Sequence, residues 1–416
     1  MEKAKSLQGG MLRLNGNRDL FLLVALSLTT SPFFGILFSV YAPYLRGLGF
    51  TATEYGVLGG LSLILSLLAS IIAGFLCDRV GARAVVVISS IIASVGLILL
   101  STGSKNIAYV AVALLGFSGG LESVSGLVLA TRIPVSGGLE RVLSYTAAAS
   151  TIGVGVGALG GWIPVVVSAY GVDIVTAYRF TILSVALLSL LPVVVIVPRI
   201  REVITGSTVE ATENDRVDWG VLGRLILVNI IISLGAGASI HLIDYYFVLK
   251  FGVSSGELGT LWSVQNLVMG ILMLQMPRLS SMVGGALRAY IIVASPSVLL
   301  LALLIPAQSF VIAASIYVVR STLMNVANPL YQAFEMSLIP RRFRGRGASI
   351  LSLAWQIPAG LGRSVGGALM DVNVDAPIAV TTGLYTLAFV LLIAFFPNYV
   401  LKGNPTRNET QINVSQ

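Results

Sequence analysis

Six ionisable side chains stand inside long apolar runs of the 416-residue sequence: Glu122, His241, Asp244, Arg320, Glu335 and Arg363. An ion at mid-bilayer costs about 2.5 to 3.5 kcal/mol on insertion scales, so residues of this kind face a wet cavity or one another. Asp244 and Glu122 are the candidate proton carriers, because a carboxylate partly withdrawn from water can load and release a proton as its surroundings alternate. His241 precedes Asp244 by one helical turn and can share that proton. Tyr245 and Tyr246, next to Asp244, add aromatic surface for a cation. Arg320 and Arg363 offer guanidinium forks to an anion. Four alternatives stay open at this level. Glu122 and Arg320 can pair with each other, Glu335 can form a structural ion pair with Arg341, and Arg363 can serve ion pairing or helix packing instead of a substrate. Asp244, toward the end of its run, can also simply reach the membrane interface.

The same residue inventory excludes other chemistry. Cys77 is the only cysteine and His241 the only histidine, so neither a disulfide nor a zinc site is available, and no metal or cofactor is expected. There is no phosphate-binding loop and hence no sign of ATP drive. Short loops without clustered catalytic groups argue against an enzyme.

Composition says what must position these groups. Hydrophobic residues make up 56% of the chain and charged ones 11%, with a mean hydropathy of +0.91, which describes a polytopic membrane protein. The all-α reading has twelve membrane spans, at 21–44, 54–76, 84–103, 107–131, 143–168, 176–198, 221–249, 257–277, 288–305, 309–338, 347–370 and 377–398. They divide the chain into an N-tail (1–20), a six-helix bundle (21–198), a central loop (199–220), a second six-helix bundle (221–398) and a C-tail (399–416). With the N-terminus inside, 20 Lys and Arg fall in inner segments and four in outer ones, which predicts cytoplasmic termini. The net charge of +8 then faces lipid headgroups, and no nucleic-acid partner is expected. The sequons at Asn408 and Asn413 fall in the cytoplasmic tail.

The chain also repeats itself. An offset of 203 residues carries Gly49, Glu54 and Gly56 onto Gly252, Glu257 and Gly259, and an offset of 206 carries Ile133-Pro134 onto Ile339-Pro340. Six spans on each side of the central loop predict two parallel halves around a central path. Thr51 with Glu54, and Ser254 with Glu257, read as capping boxes opening spans 2 and 8. Gly153, Gly157 and Gly161 form a small-residue face on span 5 for close helix packing. Gly235, Gly237 and Pro329 mark points where helices 7 and 10 can bend.

The loop after span 2 is the most specific motif. Gly74-Phe-Leu-Cys-Asp78-Arg79-Val-Gly81-Ala-Arg83 resembles, nearly residue for residue, a signature of the major facilitator superfamily. Ala82 stands where that pattern usually has a basic residue, and the second-half copy, Pro277, Ser281 and Gly284, lacks the acid. The basic run from Pro340 to Arg346 resembles the family's loop at the matching place. Span 4 has no arginine where proton-coupled drug exporters usually carry one, and an antiporter signature survives only as Gly160-Gly161.

Physically, Gly74 should permit close helix approach and Asp78 should meet the positive end of helix 3. The resemblance implies that Gly74, Asp78, Arg79, Gly81 and Arg83 latch the cytoplasmic side, that spans 1, 4, 7 and 10 line the cavity, and that solutes cross by alternating access. The resulting expectation is a monomeric secondary transporter of the plasma membrane, a proton-coupled antiporter exporting small amphipathic or cationic compounds. The alternatives are a proton-coupled carrier of organic anions and, in another class, a non-transporting receptor with the same fold.

Overall fold

Backbone groups in lipid have no water to bond, so each apolar run closes its hydrogen bonds within itself as a helix. The computed structural model describes residues 2–133, 138–202, 218–273, 285–340 and 343–401. In order the main helices are α1 (Glu2–Gly47), α2 (Ala52–Val80), α3 (Ala82–Leu100), α4 (Lys105–Thr131), α5 (Val142–Ala169), α6 (Ile174–Arg199), α7 (Trp219–Phe251), α8 (Ser255–Met273), α9 (Ala286–Ala302), α10 (Phe310–Leu338), α11 (Arg344–Val372) and α12 (Ala376–Phe395). Among the described residues nine helices are long and apolar enough to cross a membrane; the expected spans 8, 9 and 11 fall on α8, α9 and α11. The sequons, most of the central loop, the second-half motif copy and Arg341 lie outside the described residues.

Two compact units result. Unit 1 holds Met1–Phe50, Leu61–Thr208 and Val253–Leu267; unit 2 holds Thr51–Gly60, Val209–Gly252 and Val268–Gln416. The first turns of α2 thus belong to unit 2, and most of α8 belongs to unit 1. Both helices begin with the capping boxes read from the sequence. Thr51 N donates to Glu54 Oε2 (2.8 Å) and Glu54 N to Thr51 Oγ1 (3.2 Å), and Ser254 with Glu257 repeats the arrangement at 2.8 and 3.3 Å.

Close approach in unit 1 depends on glycine. An added Cβ at Gly157 would lie 2.0 Å from Pro32 O of α1, at Gly153 2.9 Å from Ser31 Cβ, and at Gly161 2.3 Å from Ser255 O. In unit 2, α7 breaks after Gly235 and Gly237 into a 3-10 turn, Ile240–Leu242, before resuming at Ile243. The cores differ in kind. The unit 2 core gathers Tyr290, Tyr331, Phe334, Tyr385, Phe389 and Phe396 into one cluster, while in unit 1 the buried rings Tyr44, Phe50 and Tyr178 stand apart from the aliphatic cluster that includes Leu121, Leu129 and Val193.

Candidate functional site

Unit 1 holds a half-open cavity of about 590 Å³ between α1, α3, α4, α5 and α6. Its position follows from how α4 is seated. Gly116 and Gly120 bring α4 onto α2, where an added Cβ would lie 2.4 Å from Ser62 O and 2.0 Å from Ser66 O. A different face of α4, carrying Gly119, Glu122 and Gly126, therefore turns to the cavity. Leucines, valines, alanines, Phe33 and Phe34 make most of the wall, interspersed with seven hydroxyls that include Thr30 and Ser90. Glu122 is the carboxylate among these lining residues, half-buried because it borders this space. An apolar chamber with one convergent charged group is the usual form of a small-molecule site.

In unit 2 Asp244 is 9% exposed. Tyr55 Oη of α2 donates to its Oδ2 (2.8 Å) and Tyr245 N to its Oδ1 (2.8 Å). His241 is not among these partners, and its Nδ1 is buried without a hydrogen bond. The two expected aromatic contacts also differ from the sequence reading. Tyr245 is fully buried and stacks on Tyr55 at 4.4 Å, while Tyr246 is fully buried and bonded through its hydroxyl to Asp375 (2.8 Å). Neither presents open surface to a solute, because both rings fill the helix packing around Asp244. Arg363 Nη1 donates to Gly59 O (3.0 Å), and Asp371 accepts from the amides of Ala52 and Thr53 (both 2.9 Å). Residues 51–60 are thereby held in unit 2 by two acids and a guanidinium.

Deeper in unit 2, Arg320 is 1% exposed and lies 5.5 Å over the Tyr385 ring, with Nε and Nη2 making no hydrogen bond. Glu335 of α10 is 6% exposed and takes a hydrogen bond from Asn229 Nδ2 of α7. The basic partner suggested from sequence, Arg341, lies outside the described residues.

The Gly74–Arg83 motif lies in unit 1, and its chemistry centres on a residue the sequence reading passed over. Gly81 caps α3 with φ of 88°, a left-handed conformation that favours glycine, and a Cβ there would lie 3.1 Å from Glu202 Oε2. Glu202 accepts from the amides of Ala82 (2.8 Å) and Arg83 (3.2 Å), so the carboxylate at the positive end of α3 is Glu202 and not Asp78. Asp78, on the last turn of α2, has a 77% exposed side chain and meets Arg132 Nη2 at 3.0 Å. Arg132 Nη1 also pairs with Glu202 at 2.8 Å, and Arg83 Nη1 donates to Ile200 O (2.8 Å). Burial alone would raise the Glu202 carboxyl; the Arg132 hydrogen bond and the two amides outweigh it and hold the group below the usual carboxylate range. Arg79 points outward, and a Cβ on Gly74 would meet nothing within 4 Å, so the expected close approach at Gly74 does not occur.

The family model of the Major Facilitator Superfamily matches residues 21–363. The chain belongs to this superfamily. Solved structures with the superfamily fold superpose over nearly its full length. The nucleoside transporter NupG matches with a TM-score of 0.71 at 14% identity, covering 91% of this chain and 100% of that one. A bacterial homologue of the human lysosomal transporter Spinster, inward-facing and unoccupied, gives 0.67 at 12%, covering 93% and 96%. A structure of proton-dependent oligopeptide transporters gives 0.64 at 12%, covering 92% and 99%. No curated protein sequence matches the chain. The protein is therefore a multi-pass membrane protein of the superfamily, a transporter and not an enzyme.

Within this superfamily member, the residues missed from sequence are Tyr55, Asn229, Glu202 and Asp371. Asn229 carried a usable signal, a lone amide inside an apolar run. Tyr55 lay inside the repeated segment at the very start of span 2, where nothing in the adjoining sequence marks it.

Proposed function

We propose that the protein is a secondary active transporter working by alternating access, a proton-coupled antiporter that exports small amphipathic or cationic compounds. Glu122 carries this reading: a carboxylate facing an otherwise apolar cavity of about 590 Å³ suits a solute with one positive charge and an apolar body. Phe33 and Phe34 in the same wall add ring faces for such a cation. Asp244 is the proton carrier of unit 2, shielded by Tyr55 and Tyr245. The lysine and arginine bias supports cytoplasmic termini in the plasma membrane. The Asp78 loop is the latch at that side, and the monomer is the working form.

One observation favours a second reading. The unpartnered Nε and Nη2 of Arg320 suit a carboxylate or phosphate, which would make the solute an organic anion. Thermal melting with matched panels of hydrophobic amines and hydrophobic acids separates the two through binding linkage. Under the cation reading amines protect, and Glu122→Gln weakens that protection by about tenfold or more in apparent affinity, roughly 1.4 kcal/mol, at unchanged ligand-free stability. Protection by acids alone, lost in Arg320→Gln and kept in Glu122→Gln, would overturn it.

A further inference from the structure

Glu335 is a buried carboxylate that the proposed cycle does not use. Its Oε1 accepts from Asn229 Nδ2, which also approaches Leu225 O (3.0 Å) and the Tyr331 hydroxyl (3.5 Å). Tyr331 faces Glu335 from the same helix, and Tyr290 of α9 stacks on Tyr331 at 4.8 Å. Arg320 precedes Glu335 on the same helix and lies over the Tyr385 ring. Among the described residues Glu335 forms no salt bridge.

Two arguments separate this group from a structural acid. The first is charge. Protonating Glu202 would leave the Arg132 guanidinium with the exposed Asp78 as its ion partner, whereas among the described residues protonating Glu335 leaves only a neutral amide and a phenol behind. An amide carries a donor and an acceptor, so rotation of Asn229 provides a partner for the carboxylate and for the carboxylic acid alike. The second is the internal repeat. The 206-residue offset that maps Ile133-Pro134 onto Ile339-Pro340 places Leu129 at the position of Glu335, and Leu129 is 2% exposed in the unit 1 core. The same place in the fold packs without an acid, so packing does not demand one in unit 2.

We infer that Glu335 is a second proton-binding site of unit 2, separate from Asp244, with Asn229 as the residue that positions and hydrogen-bonds it. This rests on the proton-coupled reading and adds Glu335 of α10 to Asp244 of α7. Unit 2 would then handle protons, leaving the chamber of unit 1 to the solute.

Infrared difference spectroscopy during a pH jump tests this on the purified full-length protein, with the proton as the only ligand. The parent should gain a protonated-carboxyl band on acidification, and Glu335→Gln should lose one component of it. Asn229→Leu keeps the acid but should move that component to higher frequency, since the carbonyl loses its donor. This second variant still decides the matter if Glu335→Gln does not fold. A folded Glu335→Gln with every component intact, or an Asn229→Leu band at the parent's frequency, overturns the inference. Loss of the band in Asp244→Asn alone would sink it while sparing proton coupling. A parent without any pH-dependent carboxyl band would remove both.

Discussion

The two units use repeat-related positions for opposite ends. On α4 the series Glu122, Ser125, Leu129 is small or apolar apart from its first member, and the helix borders a cavity of about 590 Å³. On α10, 206 residues later, the series is Asn328, Tyr331, Glu335. There the ring of Tyr331 stacks on Tyr290, and Tyr290 in turn lies 5.7 Å from Phe389. The difference shows how little a shared helical frame constrains its interior. A few side chains on one helix face decide whether a bundle holds a chamber for a solute or a packed core with polar groups threaded through it.

The harshest way to break this comparison is to hollow out the filled unit. Tyr290→Ala removes a ring that is 1% exposed and should cost about 3 to 5 kcal/mol, seen as a large fall in melting temperature in detergent. The converse change in unit 1 should be tolerated. A Cβ at Gly119 meets nothing within 4 Å, so Gly119→Leu should change stability by less than about 1 kcal/mol, helped by helix propensity, while abolishing amine binding. Equal destabilisation by the two would show that the interiors do not differ in packing.

Glu202 sharpens the comparison between fixed and exchangeable acids. Its side chain is 5% exposed, and Glu202→Gln leaves Arg132 with the exposed Asp78 as its ion partner and weakens the α3 cap, at a cost of about 2 to 3 kcal/mol. Because the folded-state pKa lies below the unfolded value of about 4.3, this stabilisation is complete above that value and disappears as pH falls through the lower one. Melting curves of parent and variant should therefore converge on acidification below about pH 4 and stay parallel from pH 6 to 8. A gap that persists unchanged in acid would mean that the carboxylate charge is not what matters.

The smallest effect belongs to Asp78. With its side chain 77% exposed, Asp78→Asn should cost less than about 1 kcal/mol. If the loop is a latch, the same variant should still redistribute cysteine labelling between the inner and outer mouths. Unaltered labelling would leave Asp78 as a surface charge and Glu202 as the residue that organises the motif.

What could be read from sequence follows the range of the interactions involved. Helices, capping boxes and the glycine face of α5 depend on residues within one or two turns, and their spacing is visible along the chain. The partners were not visible, because they come from far away: Tyr55 reaches Asp244 across 189 residues and Glu202 reaches Ala82 across 120. Local reasoning gave the α3 terminus to Asp78, the nearest acid, when the fold brings in one from beyond α6. Tyr245 and Tyr246 were read as open surface because adjacency to a buried acid does not reveal how tightly the neighbouring helices close over it.

The exchange of helix beginnings bears on how the chain is made. Residues 51–60 are synthesised before any other part of unit 2, and residues 253–267, which complete unit 1, emerge only after the central loop and α7. During biogenesis the capped start of α2 must wait, with Asp371 and Arg363 still unsynthesised, for the carboxylate and guanidinium that will hold it. Neither unit can reach its final form as a nascent domain, and the last contacts to form join the earliest and latest translated segments of unit 2.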